Sequence, residues 1–252
     1  MSVEPPQRLE RRKFLIRLEA NIEALEGHEL KLSLLEKMDV RTQAMDLDKN
    51  SDRKPRFFLP SSPEFSPPGE DDVEDINDLH EVLADEDTCF TRPIYRARQV
   101  YTTWSPYASR CRPRKRDSTL WFAGDGIDPT TGAWNILDIR RPPGKYPHSK
   151  ATVYNNWVGE EGEILRGELL AVLRLMLGRL NKRAFIDHAV APVFILSFIG
   201  KHARAVESYY DGRYHLRITR LYNFPDETLP ALKTLGEWFF GGPTGDSYLA
   251  GR

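Results

Sequence analysis

Two carboxylates, Glu168 and Glu207, fall where the surrounding pattern calls for apolar residues. Glu168 has Ile164, Leu165, Ala171 and Val172 three or four positions away, which on a helix places them on its own face. Glu207 alternates with Ala203, Ala205 and Tyr209, which on a strand share one side. A carboxylate taken out of water needs hydrogen bonds or an opposite charge. Such a group is either a structural charge, paired with an arginine or with the Tyr209 and Tyr214 hydroxyls, or a working one.

A second constellation is cationic. From Arg92 to Arg116 there are eight basic residues and no acid, interleaved with Tyr95, Tyr101, Trp104 and Tyr107. Basic and aromatic residues together suit a surface that tracks phosphates and stacks bases. The run Arg110, Arg112, Arg114, Lys115 and Arg116 is the nucleic-acid-binding candidate, and it also reads as a nuclear localisation signal. Just before it, Ser61 to Phe90 holds eleven acids and no lysine or arginine. The two blocks suggest an acidic arm folding over a basic stretch and masking it.

Other chemistries find little support. The six histidines are scattered and none forms a metal pair. Asp125 and Asp128 lie in a tight turn whose spacing does not match an EF-hand loop. No nucleophile elbow, phosphate-binding loop or dinucleotide fingerprint is present. Cys89 and Cys111 form no C-x-x-C pair. The polar start at Met1–Pro6 and the lack of a long apolar run lead to the expectation of a reducing compartment, cytosol or nucleus, with no membrane contact. A net charge of −1 gives no overall attraction to nucleic acid.

The elements that must position the carboxylates come from periodicity. Residues 7–46 read as helix, with Leu15, Leu18, Ile22, Leu25 and Leu32 as a short coiled-coil seam interrupted at Gly27-His28. Residues 9–38 are therefore a candidate homodimer contact. Pro55 to Gly69 is proline-rich and the following acids are dense, so residues 47–90 read as a disordered linker. Within it Val73, Ile76, Leu79 and Leu83 recur at helical spacing, enough for a short helix on a partner surface. Strands are expected at 118–123 and 133–139. Residues 160–180, apolar on nearly all faces, read as a buried helix. Residues 190–199 read as a central strand, and Asp211-Gly212 as a two-residue hairpin turn. That turn sets Tyr209 opposite Tyr214 and Glu207 opposite Leu216, and it points Glu207 at the helix carrying Glu168. Leu229 to Phe240 closes the domain as a helix.

The order helix, three strands, helix, with Glu168 on the first helix and Glu207 on a strand, resembles the core of the PD-(D/E)xK nucleases. That resemblance implies Mg²⁺ held by Glu168 and Glu207 and a lysine steadying the attacking water. Residue 209 is Tyr where the lysine belongs, and the Pro-Asp pair is absent, so the resemblance is to a degenerate member. The residues Gly167-Glu168-Leu169, Pro192 to Phe198, His202-Ala203-Arg204 and Tyr210-Asp211-Gly212 also resemble a family of uncharacterised proteins from filamentous fungi, over about residues 150–240.

The expectation is an α+β protein with a mixed or antiparallel sheet and a buried helix packed on it. A helical arm (1–46) and an acidic linker (47–90) precede the α+β domain (91–245), and a disordered tail (246–252) follows. The leading function is a non-enzymatic interaction or regulatory protein with a protein partner and no cofactor. The alternatives are a Mg²⁺-dependent nuclease acting on nucleic acid and an accessory protein holding a small hydrophobic metabolite between Trp121, Trp134 and Trp157.

Overall fold

The computed structural model describes residues 4–85, 91–111, 134–142 and 146–248. The strand expected at 118–123, Asp125 and Asp128 lie outside the described residues.

The protein is α+β, with a mixed sheet covered by helices on both faces. In chain order the elements are α1 (Pro6–Glu23), β1 (Glu29–Lys31), α2 (Leu32–Glu36), β2 (Val40–Ala44), α3 (Glu70–Ala84), α4 (Pro93–Cys111), β3 (Trp134–Arg140), β4 (Ser149–Asn155), β5 (Glu163–Leu165), α5 (Arg166–Leu180), β6 (Val193–Ile199), β7 (His202–Tyr210), β8 (Tyr214–Ile218), β9 (Tyr222–Asn223) and α6 (Phe224–Phe240). The main sheet runs β2-β8-β7-β6-β4-β3, with β9 added to β7, while β1 and β5 form a separate antiparallel pair. The pairs β2–β8 and β4–β6 are parallel and the other neighbours in the main sheet antiparallel.

Strand alternation divides the core. Along β6, Val193 and Ile195 face α1 and α5, whereas Phe194, Leu196 and Phe198 face α3, α4 and α6. A strand buried on both faces has no polar alternation, which is why residues 193–199 are apolar apart from the buried Ser197.

The N-terminal segment is part of this core and not a freestanding arm. The helix stops at Glu23, and residues 29–44 form strands and a short helix instead of continuing it. Leu15, Leu18 and Ile22, the expected coiled-coil seam, are buried in the cluster that α5 supplies. Each such side chain contributes about 1.5–3 kcal/mol on burial. Their burial holds α1 on α5. Arg174 reinforces the contact through Glu19 and Glu23, both at 2.8 Å.

The expected linker is likewise built into the fold. Phe57, Phe58 and Phe65, set between the prolines, are buried, Phe57 against Tyr209, Phe58 against Phe194 and Phe65 against Tyr107 and Phe240. Backbone bonds tie this strap down, from Leu59 N–H to Gly242 O (2.9 Å) and from Ser61 N–H to Glu237 O (2.7 Å). The acidic run 70–84 is helical because its apolar residues share one face. Ile76, Leu79 and Leu83 are buried on α4 and α6 while the acids other than Asp72 face water, so the partner surface for this helix is the protein itself. The start of the expected tail is ordered too: Ser247 O accepts the N–H groups of Ala189 (2.9 Å) and Val190 (3.1 Å).

No described helix is long and apolar enough to cross a membrane.

Candidate functional site

Glu168 owes its place to the start of α5. The helix begins at Arg166, after β5, so Glu168 is the third helical residue. There a carboxylate can reach back to the N–H that precedes the helix, and Glu168 Oε2 accepts Leu165 N–H at 2.8 Å. Arg204 comes up from β7 on the same side. Its Nε lies 2.8 Å from Glu168 Oε1, and its Nη2 bonds Oε2. Its Nη1 donates to Glu163 O at 2.8 Å. Both side chains are buried. The pair is a bidentate fork with every guanidinium nitrogen engaged.

Arg204 also lines a cleft of about 410 Å³ bordered by Thr42, Arg53, Glu163, Arg220 and Tyr222. Several charges around it are already matched. Arg220 grips Glu227 through two bonds of 2.5 Å, and Glu161 accepts Leu221 N–H at 2.6 Å.

Glu207 lies on the other face of the sheet, with Ala203, Ala205 and Tyr209. Its carboxylate accepts Phe57 N–H at 2.7 Å and Arg56 N–H at 2.9 Å, and Arg217 Nη1 lies 2.7 Å away. Burial pushes its carboxyl above the ordinary range, against the pull of those two N–H groups and of Arg217.

The two carboxylates therefore do not converge. The expected register is corrected by one residue: Tyr210 pairs with Tyr214, Tyr209 with His215 and Glu207 with Arg217. The loop is Asp211-Gly212-Arg213, with Gly212 at φ +123°. A one-residue slip sends every β8 side chain to the opposite face. Tyr214 and Leu216 consequently join Val206 beneath α1 and α5, while Arg217 turns to Glu207. The Mg²⁺ site implied by the nuclease resemblance does not fit this arrangement. Each carboxylate is closed by its own arginine, and among the described residues no three His, Cys, Asp or Glu side chains group to hold a metal ion.

Of the basic candidates, Arg110 forms an ion pair with Asp72 of α3, and Arg112, Arg114, Lys115 and Arg116 lie outside the described residues. Arg96 Nη2 also reaches Asp85 O at 3.1 Å, so the acidic helix does lie along the basic one. The three tryptophans do not form one described pocket. Trp134 packs on Gly167, Trp157 stacks on His28 with ring centroids 4.1 Å apart, and Trp121 lies outside the described residues.

Sequence reasoning missed the buried cations. Lys150 Nζ donates to Trp238 O (2.5 Å) and Gly241 O (2.8 Å), closing the end of α6. Burial, with the charge of Arg140, holds it well below the usual lysine range. Arg179 is buried at the end of α5, and burial together with nearby Arg141 pushes its guanidinium down to about 10. In the sequence Arg179, Lys182 and Arg183 are simply charges that suit the C-terminal end of a helix. That Arg141 joins them follows from the fold.

Comparison with family models, with characterised proteins and with solved structures gives no match.

Proposed function

We propose that the chain is a non-enzymatic interaction protein of the cytosol or nucleus, presenting surfaces to a partner instead of an active site. The observation that carries this reading is the engagement of Glu168 and Glu207. Each is buried, each is hydrogen-bonded by backbone N–H and arginine, and the sheet lies between them. A carboxylate closed in this way offers no open coordination positions to a cation, and removing its arginine would leave an uncompensated buried charge. Pairing of two copies through the seam of Leu15, Leu18 and Ile22 would require α1 to leave α5, whereas Leu9 and Ile16 on the same helix remain exposed to a partner.

The test is incubation of the full chain with single- and double-stranded DNA in Mg²⁺ or Mn²⁺. The expected result is intact substrate over hours. Metal-dependent cleavage that disappears in a folded Glu168→Gln variant overturns the reading.

A further inference from the structure

We infer that the end of the molecule where α5 stops is a binding face for single-stranded nucleic acid. This rests on the interaction-protein reading and names the partner.

The face has a rigid frame. Arg179 Nη2 donates to Tyr146 O at 2.7 Å and its Nε to Pro147 O at 3.3 Å, which fixes the residues before β4 to the last turn of α5. The same guanidinium lies 4.2 Å from the centre of the Phe185 ring. Phe185 meets His188 edge-on, and His188 stacks on Tyr248 at 4.2 Å. His148 Nε2 lies 3.0 Å from Thr244 O and its ring meets that of Tyr146. Three segments, 146–148, 179–188 and 244–248, are thereby locked together.

Cations and aromatic rings stand on this frame. Lys182 and Arg183 are exposed and Arg141 is half-buried. Among the described residues, none of Arg141, Arg179, Lys182 and Arg183 forms an ion pair with a carboxylate, and Arg141 Nε is enclosed without a hydrogen-bond partner. The field of Arg141 is the main influence lowering Lys182, so these charges repel one another. Bringing like charges together stores unfavourable energy that a polyanion releases. Two acids belong to the same segments, Asp187 and Asp246, and Asp246 Oδ1 accepts Tyr248 N–H; against four cations they leave the face net positive.

Tyr146 and Tyr248 are 51% and 53% exposed, so each keeps a ring surface toward water beside the cations. Unstacked bases use such surfaces, while a duplex keeps its bases inside. Cations beside exposed rings are the combination a single strand uses, the cations for its phosphates and the rings for its bases. The rings favour a single strand.

The test uses fluorescence anisotropy of the full chain with a labelled homothymidine strand of about 12 nucleotides and its duplex. The expected result is preferential binding of the single strand, with a log–log salt slope of about −2 if three phosphates are neutralised. The Lys182→Glu/Arg183→Glu variant should lose binding and flatten the slope. Tyr146→Ala and Tyr248→Ala should each weaken single-strand binding about 5- to 150-fold while the chain stays folded by circular dichroism, and Tyr146→Phe and Tyr248→Phe, which keep the rings, should bind as the wild type does. Three results overturn the inference: no binding by the wild type at low salt, undiminished binding by the charge variant, or tyrosine variants that bind normally, which would mark a general polyanion or anionic-vesicle surface. Cleavage of the strand would instead overturn the non-enzymatic reading and leave the binding face standing.

Discussion

Glu207 and Arg217 stand directly opposite one another on β7 and β8, joined at 2.7 Å inside the core. The pair also reaches beyond the sheet. Glu207 holds the N–H groups of Arg56 and Phe57, and Arg217 donates to the carbonyls of Arg53 and Lys54, both at 2.9 Å. One charge pair thus fastens the strap of residues 53–57 to the sheet. Glu207→Leu alone should destabilise the protein by about 3–5 kcal/mol, because it strands a buried guanidinium. The double variant Glu207→Leu/Arg217→Met should cost clearly less than the sum of the two single changes. Urea unfolding of all four proteins measures this, and additive losses would contradict the coupling.

His148 is buried, and burial, outweighing its bond to Thr244 O, pushes its imidazole down to about 4. The carbonyl accepts only, so Nε2 carries the proton of the neutral ring. The unfolded chain takes up a second proton near the ordinary histidine value of 6.5, and the folded chain does so only near 4. Stability is therefore complete above pH 6.5 and falls between 6.5 and 4, by about 3 kcal/mol in total. Chemical unfolding across that range should show the slope, and His148→Gln should reduce it.

The docking of α3 is testable on its two faces. Leu79 is buried and Val73 is 45% exposed on the same helix. Leu79→Ala should cost about 2–5 kcal/mol, whereas Val73→Ala should stay within about 0.5 kcal/mol. Equal small effects from both in urea unfolding would mean that α3 is not packed.

Gly236 tests the strap from the opposite side. A Cβ at this position of α6 would stand 2.6 Å from Phe65 Cε2. Alanine is the better helix former by about 1 kcal/mol, so on an isolated helix the change would stabilise. Here Gly236→Ala should instead destabilise by about 1–3 kcal/mol through overpacking, and shortening Phe65 to Leu in the same chain should recover part of the loss. Thermal unfolding of the three proteins reads both effects.

The helix 166–180 and the strand 193–199 were legible because burial on all sides leaves a continuous apolar run. The hairpin was legible in place but not in register. Asp-Gly serves a three-residue loop as well as a two-residue one, and the choice was decided by Tyr214 and Leu216 packing beneath α5. Glu168 carried a readable signal once the helix start moved to Arg166, since a glutamate three residues in is a capping residue. The strand Ser149–Asn155 was missed because Ser149, Lys150, Thr152 and Asn155 are polar yet buried. Lys150 is inside only because the last carbonyls of α6 receive it, a partner some ninety residues away. In the strap the prolines signal irregular chain, whereas Phe57, Phe58 and Phe65 are too widely spaced to show a period, although they anchor it in the core.

The parallel pairing of β2 with β8 joins residues 40–44 to residues 214–218. A ribosome adding about 5–20 residues per second leaves β2 waiting roughly 10–35 s for its partner. Until then Val40, and the Phe57 and Phe58 that follow it, have no β7 or β8 to cover them. A chain cut short before β8 therefore keeps the partners of α1 and β1 in α5 and β5 but leaves β2 with no strand to pair with.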